Sequence, residues 1–144
     1  MTARGYLLVR AGARPYGLPL DHVIEVADEV SVSTVPGLGP AVRGVARLRE
    51  RLVPVIPLDR VLRETTTLTG DASTLILTRL GGRWIAFAVD DAEDVVREPV
   101  LPVPSGASMP WALGISDRGG ELVPVVDLAR VEERLTRTSE REGV

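Results

Sequence analysis

The sequence predicts an all-β fold made of two copies of one small strand-and-turn unit, and three observations carry that prediction. The first is a duplication. Leu52-Val53-Pro54-Val55 returns as Leu122-Val123-Pro124-Val125, Gly44 is matched by Gly114, and Leu58 by Leu128, all at a spacing of 70 residues (52 to 122). Earlier in each half the spacing is 69 (6 to 75): Tyr6 meets Leu75, Arg10 meets Arg79, Gly12 meets Gly81 and Asp21 meets Asp90. One inserted residue reconciles the two spacings. Such recurrence marks a repeated structural unit, and a unit this small buries too little core alone, so the copies must pack together. The second observation is composition: 44% hydrophobic residues but only 3% aromatic. The core is therefore aliphatic, and alternating Val and Leu favour sheet. The third is punctuation, because short aliphatic runs are bounded by glycine, proline and charged turns.

Taken in order, Tyr6 to Val9 reads as a strand, Ala11 to Arg14 as a turn with Gly12 free to take positive φ, and Tyr16 to Leu20 as the partner strand. Asp21 to Val26 continues as either a helical turn or a further strand, a choice that periodicity over so few residues does not make. Asp28 to Gly39 is a loop or irregular strand, with Pro36-Gly37 and Gly39-Pro40 as turn dipeptides. Arg43 to Leu62 (RGVARLRERLVPVIPLDRVL) is the organising stretch: a strand, the charged turn Arg49-Glu50-Arg51, a second strand and one helical turn. Pro54 cannot donate to a ladder, which suits an edge or a bulge. The Thr-rich 63–73 connects the halves. Thr74 to Thr78 and Trp84 to Val89 form a hairpin about Gly81-Gly82. Asp90 to Glu98 is an acidic face and Pro99 to Pro110 a loop. Leu113 to Ile115 and Leu122 to Val126 form the last hairpin. Asp127 caps a short closing helix through its carboxylate, on which Leu128, Val131 and Leu135 share one face. The tail from Thr136 is polar and frays.

Composition also excludes functions. The chain of 144 residues carries a formal charge of −3 with no basic arm, which argues against nucleic-acid binding. It has no cysteine, so disulfides, thiolate metal sites and a cysteine nucleophile are absent. No apolar run approaches the ~18 residues of a membrane span, and Tyr6 to Val9 between Arg4 and Arg10 is too short for a secretory signal. The reading is a cytoplasmic protein without cofactor or metal. The single histidine, His22, adjoins Asp21 in sequence, and strand neighbours face opposite ways, so the pair makes no catalytic dyad. Asp90, Asp91, Glu93 and Asp94 lack the alternating oxygens and central glycine of a calcium loop and read as a solvated face. Gly81-Gly82 and Gly119-Gly120 are turn glycines, with no Lys-Ser/Thr after them to form a phosphate cradle. A small β-barrel enzyme or ligand-binding module would rest on His22 and the acidic cluster alone.

YGLPLDHVIEV (Tyr16 to Val26) followed by RGVARLRERLVPVIPLDRVL (Arg43 to Leu62) resembles the CheW-like domain of bacterial chemotaxis, whose pattern runs "YGIPI…V.EI" and then "GV.NLRG.V.PVIDL". The second half, LILTRLGGRWIAFAVDDAEDVV and LGISDRGGELVPVVDLARV, continues the likeness. The resemblance implies two pseudo-repeated, five-stranded SH3-like β-barrels packed on a shared core. These would form a single domain with subdomains at about 6–62 and 74–135. It also implies an adaptor without enzymatic activity that couples the signalling domains of methyl-accepting chemoreceptors to the regulatory domain of a CheA-type histidine kinase. Carried over by position, the receptor-binding residues are Leu20, Val23, Glu25, Arg49 and Leu75, with Glu25 and Arg49 placed either to pair or to offer separate hydrogen bonds at the rim. The family's NLRG turn is Arg47-Leu48-Arg49-Glu50 here, which implies either a turn that avoids positive φ or strain at Glu50. A divergent member that has lost one partner and serves another pathway is the alternative.

Overall fold

The structure, a computed structural model, describes residues 5–28, 30–39, 41–63 and 74–142. The strands are β1 (Tyr6–Ala11), β2 (Arg14–Pro19), β3 (Val23–Asp28), β4 (Gly44–Leu48), β5 (Arg51–Pro57), β6 (Thr74–Leu80), β7 (Arg83–Val89), β8 (Asp91–Val96), β9 (Val100–Leu101), β10 (Ala112–Arg118) and β11 (Glu121–Val126). Helix α1 spans Leu58–Arg63 and α2 spans Leu128–Glu142. The chain is thus mainly β, with both hairpin pairs where the turn residues put them. The undecided stretch after β2 is both of its alternatives in succession: a 3-10 turn at Leu20–His22, then β3. Asp21 and His22 accordingly sit in that turn and not in a strand. The connection 64–73, Pro40 of the Gly39-Pro40 dipeptide and the last two residues lie outside the described residues.

The strands form two curled sheets, ordered β8-β1-β2-β11-β10-β9 and β3-β6-β7-β5-β4. Neither sheet corresponds to one sequence copy. Hairpin β1–β2 of the first copy joins β8 to β11 of the second, and hairpin β6–β7 of the second joins β3 to β5 of the first. The exchange is symmetric to the residue. β2 meets β11 in parallel at Gly17 and Val125, and β7 meets β5 in parallel at Ala86 and Val55. These are the same positions at spacings of 69 and 70. Even the two-residue β9 has its counterpart, the bridge of Ser33 to Val45 on the outside of β4. Gly44 and Gly114 sit under these outer strands. A Cβ on Gly44 would lie 2.5 Å from the Ser33 carbonyl oxygen, and one on Gly114 would fall on the carbonyl oxygen of Leu101.

Alternation along each strand fills three cores. Ala46, Leu48, Val53, Val55, Leu75 and Leu77 fill the inside of the five-stranded sheet. Tyr6, Leu8, Val96, Val123 and Val125 fill the inside of the other. There the Tyr6 hydroxyl donates to Ser116 Oγ at 2.9 Å, so neither buried polar group is left alone. Between the sheets, Leu18, Ile56, Ile76, Phe87, Val126 and Val131 form the shared core that the resemblance implies.

Pro54 is not at an edge. β5 lies between β7 and β4. Its partner Val45 exchanges both backbone hydrogen bonds with Ser33 at 2.8 Å, so this pair asks no N–H of the proline. Pro124 opposite Ile115 repeats the arrangement. The acidic stretch is also more than a solvated face, since it forms β8 along β1. Asp127 caps α2 as expected: its Oδ1 accepts the Arg130 N–H at 3.4 Å, while Leu128 and Val131 face the core. The helix itself is longer than the sequence reading, running to Glu142 through a segment with no glycine or proline before Gly143.

Candidate protein-binding site

The site starts from a problem of closure. The edge strands of the five-stranded sheet are β3 and β4, and a side-chain contact bridges β3 to the turn after β4. At that seam Arg49, in the β4–β5 turn, donates from Nε to Glu25 Oε1 of β3 at 2.8 Å. Of the two arrangements open from the sequence, pairing or separate hydrogen bonds, the structure holds the pair. Both are partly in water, with side chains 53% and 33% exposed. Leu20, in the 3-10 turn, and Val23, opening β3, are half-buried against the shared core, with an accessible remainder at the same end of β3. Val26, one residue past Glu25, is 43% exposed.

Leu75 does not belong to this surface. It is 1% exposed, packed inside the sheet on Val53 and its neighbours, because β6 runs between β3 and β7 with both faces covered. The structure corrects the expected receptor-facing position: Leu75 acts on the site only by supporting β3.

The turn that presents Arg49 is strained. Two-residue hairpin loops take positive φ at both central positions, which favours Asn-Gly or Gly-Gly. Gly81-Gly82 and Gly119-Gly120 meet that demand with φ of 55° and 86°, and of 60° and 93°. Arg49 and Glu50 take φ of 50° and 62° with side chains attached. Of the two outcomes open from the sequence, the chain accepts the strain, at both residues.

A comparable pair spans the six-stranded sheet: Arg118 at the end of β10, past the short edge strand β9, pairs with Asp94 of the edge strand β8 at 3.3 Å. This pair was missed in the sequence, although the 69-residue spacing carries Glu25 onto Asp94. Arg10 is clamped by Glu93 at 2.7 Å and by both oxygens of Glu121 at 2.9 and 3.0 Å. These hydrogen bonds, with Glu93 first, hold its guanidinium even more firmly protonated than usual. Glu93 and Asp94 of β8 are thus paired with arginines. Asp90 accepts the Ala13 N–H at 3.2 Å, and among the described residues no group of three or more His, Cys, Asp or Glu is placed to hold a metal. The His22 ring nitrogen Nδ1 faces the Arg79 carbonyl oxygen at 3.3 Å.

Further exposed aliphatic groups were not singled out in the sequence: Leu52, Leu122, Val95, Leu101 and Leu113. Leu101 and Leu113, with Pro19, His22, Pro99 and Pro102, line a groove of about 790 Å³ beside the 3-10 turn. Chemically, this end of the molecule offers an ion pair, aliphatic flanks and an apolar groove, which suit an apolar helix with polar edges. No helix among the described residues is long and apolar enough to cross a membrane.

A family model described as the CheW-like domain matches residues 5–108. The chemotaxis protein CheW of Klebsiella aerogenes is 23% identical over 132 residues, covering 88% of this chain and 80% of that protein. The crystal structure of the scaffolding protein TtCheW from Thermoanaerobacter tengcongensis is similar with a TM-score of 0.78 at 20% identity, covering 91% of this chain and 92% of that one.

Proposed function

We propose, since this chain belongs to the CheW-like domain family, that it is a non-enzymatic adaptor of the cytoplasm, coupling the cytoplasmic tips of chemoreceptors to the regulatory domain of a CheA-type histidine kinase. The observation that supports this most is the Glu25–Arg49 pair, held at a sheet seam between half-buried Leu20 and Val23 and exposed Val26. A receptor helix laid there meets aliphatic surface and a guanidinium whose fork keeps donors beyond the one given to Glu25. The test is binding of a purified receptor signalling domain and, separately, of a kinase regulatory domain. Arg49→Ala should leave the fold intact, costing up to about 1 kcal/mol for a lost exposed pair. It should weaken receptor binding by roughly 1–3 kcal/mol, about five- to 150-fold. Binding of neither domain by the parent protein refutes the reading, and unchanged receptor affinity in the mutant removes Arg49 from the interface.

A second reading is favoured by Glu50, which stands where the family pattern has glycine and holds φ of 62°. On that reading the chain is a divergent member that keeps one of the two partners. Strong binding to both domains would exclude it.

A further inference from the structure

Where the end of α1 meets α2 lies a cavity of about 640 Å³ that the seam of Glu25 and Arg49 does not touch. Its floor is apolar. Leu62 and Trp111 both belong to the shared core, and Tyr16 meets the Trp111 ring edge-on with centroids 5.8 Å apart. Its rim is basic. Arg63 closes α1, Arg130 and Arg134 stand one turn apart on α2, and Glu133 is the single acid among the described lining residues. The repeat does not supply this arrangement. At the 70-residue spacing Trp111 has Ala41 as its counterpart in the first copy, and Arg63 has Glu133 in the second.

Helix stability does not explain the rim either. Arg130 sits in the first turn of α2, where the helix dipole disfavours a cation and no acidic residue stands. Arg130 is nonetheless fixed: its Nη1 donates to the Pro110 carbonyl oxygen at 2.7 Å, and its Nε lies 3.5 Å from Asp127 Oδ2. Arg63 Nη1 stands 3.7 Å from Asp59 Oδ2, beyond hydrogen-bond length. A guanidinium has five donors, more than these contacts use. We infer that this cavity binds a small organic phosphate: the arginine forks take the phosphate oxygens, and the floor of Leu62 and Trp111 takes the apolar part of the molecule. The volume falls within the roughly 300–1,000 Å³ of small-molecule sites. The inference needs neither receptor nor kinase and stands or falls apart from the proposed coupling role.

The experiment is calorimetric titration of the whole chain, in low salt and a phosphate-free buffer, with phenyl phosphate, AMP, inorganic phosphate and benzoate. Phenyl phosphate or AMP should bind at least tenfold more tightly than inorganic phosphate, which lacks the apolar part, and than benzoate, which lacks the phosphate. Arg63→Gln and Arg134→Gln should each weaken that binding at least tenfold with the melting temperature unchanged. Arg63 is exposed at its helix end, so its variant keeps the test if Arg134→Gln unfolds. The chain has two tryptophans. In a Trp84→Phe background Trp111 is the sole emitter, and its fluorescence should change on binding. No heat with either organic phosphate overturns the inference. So do benzoate binding of equal strength, parental affinity in a folded Arg63→Gln, and heat without any change in Trp111 emission.

Discussion

Replacing Glu50 with glycine should stabilise the protein, although it removes a charged side chain and adds the most flexible residue. Glu50 holds φ of 62° in a two-residue turn. A left-handed conformation costs an L-residue roughly 1–2 kcal/mol. Glycine is free of that cost but adds about 0.4–1 kcal/mol of conformational freedom to the unfolded chain. The difference is a gain on the order of 0.5–1 kcal/mol, or roughly 2–4 °C in Tm for a chain of this size. Arg49 must be retained. Its φ of 50° carries the same strain, but its guanidinium closes the seam with Glu25, and glycine there would trade strain for a lost ion pair. The assay is urea and thermal unfolding of Glu50→Gly beside the parent protein, with Gly120→Ala as the reverse experiment in the equivalent turn, where φ is 93°. The glycine variant should be more stable and the alanine variant less. A Glu50→Gly protein that melts at or below the parent temperature would refute the claim that this turn is strained.

Two further outcomes follow from particular contacts. Gly114→Ala should cost roughly 1–3 kcal/mol by overpacking, because its Cβ falls on the Leu101 carbonyl and must push β9 off β10; urea unfolding measures it, and a neutral result would mean that β9 gives way freely. Tyr16 has its phenol pKa raised, first by burial and then by the charge of Asp59, so the unfolded chain loses that proton before the folded one does. Stability from Tyr16 is therefore complete below about pH 10 and falls as pH rises above it. All seventeen basic side chains are arginine, so no lysine titrates in that window, and Tyr16→Phe should flatten the alkaline slope of the urea midpoint.

Most hairpins were legible because a hairpin is local: a Gly-Gly or charged turn between alternating aliphatic runs fixes strand, register and inward face together. The exchange of hairpins was not, because the parallel contacts of Gly17 with Val125 and of Ala86 with Val55 join residues far apart in sequence, and no turn residue encodes them. Leu75 was misread for a related reason. Its position followed from the resemblance, yet Leu75-Ile76-Leu77 in TLILTRL are three consecutive apolar residues, which break the alternation of a half-exposed strand and suit one covered on both faces. Glu25 and Arg49 were legible as opposite charges at matching places. Of the pair Asp94 and Arg118, the repeat spacing applied to charges reaches only Asp94, at the place of Glu25; Arg118 stands at the place of Leu48, one residue before that of Arg49. The outward leucines 52 and 122 were hidden inside LVPV, which reads as apolar throughout until the pleat assigns alternate residues to opposite faces.

The traded hairpins have a consequence for how the protein comes into being. A ribosome releases the first 62 residues with β1 and β2 ready but their sheet partner β11 not yet made, and with β3 and β5 waiting on β6 and β7. Neither repeat can therefore finish folding and wait for the other, as two beads on a string would. The long-range pairings must close together, which makes folding slow for the chain's length and unfolding all-or-none. It also makes the two repeats obligate complements. Cut between 63 and 74, each fragment is missing the central hairpin of its own sheet and carries the one its partner lacks. The pieces should be unstructured apart and should assemble into the intact fold when mixed.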